Sequence, residues 1–112
     1  MKLTLDVENT VTKRDGKMHL DPFEPENTLV MVGVLTDQGQ EDLITFDHSE
    51  REHTYHGHNL LQKCLDQATI LICHNAAYDL MWLWESGFKY DGPVFDTMLA
   101  EYVLQRGIKE PL

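Results

Sequence analysis

The hydropathy of this chain changes period near Asn59, and that change limits its fold more than any other feature. Before it, apolar residues alternate. Leu3, Leu5 and Val7 fall on one side of Lys2–Asn9, with Thr4, Asp6 and Glu8 on the other, the period-two pattern of a strand with one buried face. Thr28–Thr36 is nearly all apolar, and its Val30, Val32 and Val34 suit a central strand. The turn signal Asp37-Gln38-Gly39-Gln40 then leads into Glu41–Phe46, so these two strands should form an antiparallel hairpin. Between the first two strands, Thr10–Glu26 is polar, contains Asp15-Gly16, Pro22 and Pro25, and reads as a long connection.

From about Asn59 the spacing becomes helical, with Leu60, Leu61, Cys64, Leu65 and Ala68 on one face. Thr69–Cys73 is a short apolar run of the kind covered on both faces. His74-Asn75 stops it, and Asn75 is placed to cap a helix over Ala76–Ser86 that Gly87 closes. A brief Val94-Phe95 strand follows. Asp96 can cap a last helix, Thr97–Gln105, with Leu99, Tyr102 and Val103 as its inner face and Gly107 as its end. The order βββαβαβα is an antiparallel meander followed by βα units. It predicts an α/β domain with a mixed five-stranded sheet flanked by helices.

Composition narrows the class. The 112 residues suit one small domain, and 42% hydrophobic with 25% charged residues is ordinary globular usage. The longest apolar stretch, Leu29–Leu35, is far short of the roughly 20 residues that a membrane helix needs. MKLTLDVENT carries acids early and has no cleavage-site pattern, so it does not read as a secretory signal. Cys64 and Cys73 have no metal-ligand spacing and read as buried core residues of a reducing compartment. His48, His53, His56 and His58 could in principle hold a transition metal. Their irregular spacing and the intervening Gly57 favour a solvated lead-in to the helix. Nineteen acids against nine Lys plus Arg give a net charge of −10, which taken alone argues against a nucleic-acid binder. The argument reverses if some of those acids hold cations.

Two acidic features could do so. Asp6 and Glu8 share one strand face, about 7 Å apart along it, a spacing that suits shared divalent ions, although by itself DxE is more often an exposed polar face. In His74-Asn75-Ala76-Ala77-Tyr78-Asp79, Asp79 lies one helical turn past Asn75, at the carboxyl end of a strand, where open α/β sheets place their sites. A simple cap and a first-turn acid favoured by the helix dipole would give the same pattern. Capping accounts for Asp96 in Val94-Phe95-Asp96-Thr97, and no chemistry is assigned to it.

In order, these segments resemble the 3′–5′ proofreading exonuclease domains of family A DNA polymerases, within the DEDD exonuclease superfamily. Asp6 and Glu8 match the family's DxE, Asn75, Tyr78 and Asp79 match its second motif, and VFDTMLAEYVL is similar to the strand and helix that follow in bacterial polymerase I and its phage relatives. The resemblance implies a ribonuclease H-like fold and a single-stranded DNA 3′ end as substrate, hydrolysed with two Mg²⁺ or Mn²⁺ ions that activate a water and stabilise the leaving oxygen. It implies that Asp6 bridges both metals, Glu8 ligates one and Asp79 holds the second, while Asn75 orients the scissile nucleotide and Tyr78 packs beneath the site. It also implies a cytoplasmic setting in a bacterial or phage-infected cell, with a polymerase domain in the same or a longer polypeptide. The family's last motif, Tyr-x-x-x-Asp or His-x-x-x-x-Asp, has no match after Tyr102. The expectation is therefore an amino-terminal portion without the closing helices, inactive or impaired by itself, whose uncovered apolar surface favours self-association. Two other readings share these residues: a DEDD-type exoribonuclease, and a non-catalytic interaction module that keeps the fold.

Overall fold

The computed structural model describes residues 1–105. Strand β1 (Lys2–Asn9) lies at the centre of a five-stranded sheet. It pairs antiparallel with β4 (Leu29–Thr36), which pairs antiparallel with the edge strand β5 (Glu41–Thr45). On its other side β1 runs parallel to β6 (Ile70–Cys73), which runs parallel to the second edge, β7 (Val94–Asp96). The helices are α1 (Gly57–Gln67), α2 (Ala76–Glu85) and α3 (Thr97–Leu104). The expected mixed five-stranded α/β architecture is the one observed, with element ends shifted by one or two residues.

The connection after β1 is more ordered than its polarity suggests. Thr12–Arg14 and Lys17–His19 form a separate two-stranded hairpin, β2–β3. Asp15 and Gly16 make its turn with φ of 51° and 77°, and two positive φ values in succession give the hairpin turn whose twist matches its strands. Asn27 buttresses this hairpin, donating to the carbonyls of His19 and Asp21 and accepting from the Thr12 hydroxyl.

Alternation decides which face of the sheet is covered. Leu3, Leu5 and Val7 of β1 lie in register with Leu71, Val34 and Val32, and Val32 with Ile44, so all of them point to one side. There they meet Leu61 and Leu65 of α1 and Trp82 and Leu83 of α2 in a single core cluster. Helix α2 ends as its glycine requires. Gly87 (φ 90°) donates to the Trp84 carbonyl and Phe88 to the Leu83 carbonyl, which turns the Phe88 ring into the core. The opposite face carries Thr4, Asp6 and Glu8 with Gly33, Leu35 and Leu43, and among the described residues no helix covers it.

Helix α3 departs from expectation. Leu99, Tyr102 and Val103 were expected to face inward, yet they are 48–64% exposed and α3 has no buried residue. Helical spacing places these residues on one side, but no described element lies against that side. Gly107, expected to end this helix, falls outside the described residues.

Candidate metal centre

Strands β1 and β6 pair only from Lys2 with Ile70 to Thr4 with Ile72. Beyond that the pairing stops: β6 ends at Cys73 and α2 begins at Ala76, which leaves a gap beside the outer half of β1. Asp79, in the first turn of α2, is 3% exposed, and its Oδ2 is buried with no hydrogen-bond partner. Burial chiefly, then the negative charge of Asp6 and more weakly that of Asp96, push its pKa up to about 7; the Cys73 thiol and the Val7 backbone pull it partly back down. Cys73 is pushed up to about 12 by burial and by the same carboxylates, Asp79 first among them. It therefore stays a neutral thiol against the carboxyl.

Asp6 projects from the uncovered sheet face. Across the ladder from it stands Gly33, which has no side chain to shade the carboxylate. Glu8, two residues further along the same face, is exposed opposite Met31. The structure therefore brings Asp6 and Asp79 within electrostatic reach of each other, while Glu8 is not among the groups that perturb Asp79. No group of three or more His, Cys, Asp or Glu side chains among the described residues is arranged around one point as a finished metal site.

Asn75 does not cap α2 as expected. It sits in the left-handed region (φ 67°), and its side chain makes no capping bond. The cap comes instead from Asp96 at the end of β7. Its Oδ1 accepts from the Asn75 amide and its Oδ2 from the Ala76 amide, both at 3.0 Å. The same Oδ1 accepts from Met98 at 3.0 Å and Leu99 at 3.4 Å, capping α3 as well. Desolvation acts to raise the pKa of Asp96, but these four amides outweigh it and hold the carboxyl below its usual range. Register explains the double role, because Asp96 lies directly opposite Cys73, and only His74 and Asn75 separate Cys73 from α2. His74 adds a side-chain tie, its Nδ1 lying 2.9 Å from the Thr97 hydroxyl.

Tyr78 reaches from α2 to the far end of β1. Its hydroxyl lies 2.6 Å from Asn9 Oδ1 and 3.0 Å from the Leu20 carbonyl, which also accepts from the Trp82 indole at 3.1 Å. Asn9 donates in turn to Leu20 O. One helix thus carries Asp79 toward the gap and anchors the foot of the β2–β3 hairpin. Sequence reasoning missed Asn9, and no pattern around it signals the role.

The residues present suit a hard divalent cation in part. A buried carboxylate oxygen with nothing bonded to it and a second carboxylate close enough to raise its pKa are what such an ion would satisfy. Asp79 and Asp6 would hold it, with Glu8 next along the strand.

No protein-family model and no curated protein sequence matches the chain. Solved structures do. Brucella melitensis NrnC with bound Mg²⁺ superposes at a TM-score of 0.67 and 20% identity, over 97% of this chain and 47% of that one. The apo form of a nuclease gives 0.63 and 20%, over 96% and 45%. The family B DNA polymerase of the hyperthermophilic archaeon Pyrobaculum calidifontis gives 0.50 and 24%, over 75% and 10%. The chain spans about half the length of the first two. At these identities the likeness establishes the fold, which is ribonuclease H-like. No described helix is long and apolar enough to cross a membrane.

Proposed function

We propose that this chain is the metal-binding front of a 3′–5′ exonuclease domain that hydrolyses phosphodiester bonds at single-stranded DNA 3′ ends, of the proofreading type found with family A DNA polymerases. The observation that carries this reading is the buried, partnerless Oδ2 of Asp79, in a carboxyl within electrostatic reach of Asp6. A structural carboxylate would have both oxygens paired or solvated; a buried one with an oxygen left open beside a second carboxylate suits a cation ligand. Mg²⁺ or Mn²⁺, when bound, would polarise the phosphate and lower the pKa of an attacking water. Asp6 and Asp79 hold the ions, and Glu8 completes the set from the same strand face. Asn75, at the mouth of the gap, orients the terminal nucleotide. Tyr78 braces β1 against α2 beneath it.

The fold shared with a nuclease and with an Mg²⁺-bound protein supports this reading. The DxE and Asn-x-x-Tyr-Asp pattern, which sits on the expected elements, supports the exonuclease assignment within it. Calorimetric titration of the 112-residue chain with Mn²⁺ tests the ligand set. Binding should be detectable for the wild type and lost in Asp6→Ala and in Asp79→Ala. A titration that Asp6→Ala leaves unchanged would overturn the assignment.

A further inference from the structure

We propose that the β2–β3 hairpin is a gripping element for single-stranded nucleic acid, in which Lys13 and Lys17 contact backbone phosphates and Phe23 offers a stacking surface for a base. This proposal rests on the nuclease reading and extends it to residues outside the acidic motifs.

Charge distribution is the first observation. In a chain of net charge −10, the seven Lys and Arg of the described residues are scattered singly except here, where Lys13, Arg14 and Lys17 fall within five positions. Arg14 is engaged by Glu24 at 2.7 Å and Glu26 at 3.4 Å, which tie the hairpin to its own loop. Lys13 and Lys17 make no ion pair among the described residues and are exposed. In the ladder Lys17 is opposite Arg14 and Lys13 opposite Met18, so the hairpin carries one free ammonium on each face, astride the Asp15-Gly16 tip.

Exposed apolar surface is the second. Phe23 is 64% exposed, Met18 55% and Leu20 49%, all within a few residues of those cations. Cations beside exposed apolar side chains match the chemistry of a single strand, whose phosphates are charged and whose bases stack.

Position is the third. The hairpin begins at Thr12, four residues after Glu8, at the end of the sheet where Asp79 sits. It is held there by the bonds of Asn9, Tyr78 and Trp82 to the Leu20 carbonyl. Such anchoring fixes the hairpin beside the carboxylates instead of leaving it a free loop. Asp15 at the tip and Asp21 in the following loop are also acidic, so the two ammonium groups, not a net positive field, would be what holds the phosphates.

The test is fluorescence anisotropy with a labelled oligothymidylate of about 12 nucleotides, within the range of single-strand site sizes. Ca²⁺ replaces Mg²⁺ so that no hydrolysis intervenes, and the salt concentration is varied. Lys13→Gln/Lys17→Gln should weaken binding at least tenfold at low salt and reduce the salt slope by about 2, roughly one unit for each phosphate contact removed. Phe23→Ala should weaken it by about tenfold with the slope unchanged, in keeping with loss of one stacked base. Lys63→Gln, on the exposed surface of α1, should bind as wild type. Circular dichroism would verify that each variant is folded, and the Mn²⁺ titration should be unaltered in all three. If the wild type binds and both hairpin variants match its affinity and slope, the hairpin proposal is wrong while the metal-site reading stands. If the wild type binds no oligonucleotide at any salt concentration, the hairpin proposal falls together with the nucleic-acid reading.

Discussion

Asp79 carries the proposed metal chemistry, and its burial also bears on the stability of this domain. Its pKa of about 7 lies well above the ordinary 3.8, so between those values the folded state keeps a proton that the unfolded chain has released. Stability should therefore fall as pH rises from about 4 to about 7, the interval between the two pKa values, and level off beyond. Replacing the group by a neutral isostere removes the cost. Asp79→Asn should melt about 5 °C higher than wild type at pH 8, a shift on the scale of 1 kcal/mol for a domain of this size, and the gain should vanish at pH 4. Mn²⁺ should raise the melting temperature of the wild type at pH 8 and leave Asp79→Asn unmoved; differential scanning fluorimetry reads both. The candidacy of Asp79 was legible from its place after Asn75. Its burial was not, because a first-turn acid is equally at home in water until the packing of β1 and β6 around it is known. The left-handed backbone of Asn75 was hidden for a similar reason: a capping residue type does not reveal that another carboxylate will arrive to do the capping.

At the scale of elements, Asp96 joins three of them. Asp96→Ala removes the caps of α2 and α3 together and should cost about 2 kcal/mol in urea unfolding, roughly twice the usual loss for one cap. The Tyr78 hydroxyl joins α2 to the end of β1. Tyr78→Phe should cost about 1 kcal/mol and speed hydrogen exchange in the β2–β3 hairpin more than in the central strands. Strands with a buried face announced themselves, as in the alternation of β1 and the apolar run of β4. The small hairpin did not: its three-residue strands bury little, so no hydropathy period marks them, and only the Asp15-Gly16 turn hinted at a reversal. The His53–His58 segment is lead-in and first turn of α1, with His58 stacked on Phe88 at 4.2 Å.

Across the whole molecule, the sheet has helices packed on one face, and apolar surface is left on α3 and the β7 edge. Val94, Phe95, Met98, Leu99, Tyr102, Val103 and Leu104 are 38–83% exposed. Exposed apolar surface of this kind along α3 and an edge strand favours association. The chain should show concentration-dependent mass in light scattering, and Leu99→Glu/Val103→Glu should hold it monomeric; a wild type that stays monomeric at high concentration would contradict this. Periodicity can say which residues of a helix stand together, but whether anything covers them depends on contacts far along the chain. The bonds of Asp96 also bear on the order in which the molecule can form. The amides of Asn75 and Ala76 find their acceptor 21 and 20 residues downstream. Until β7 has left the ribosome during synthesis, those amides have only water as acceptor, so the start of α2, where Asp79 lies, should gain its cap only once β7 pairs with β6.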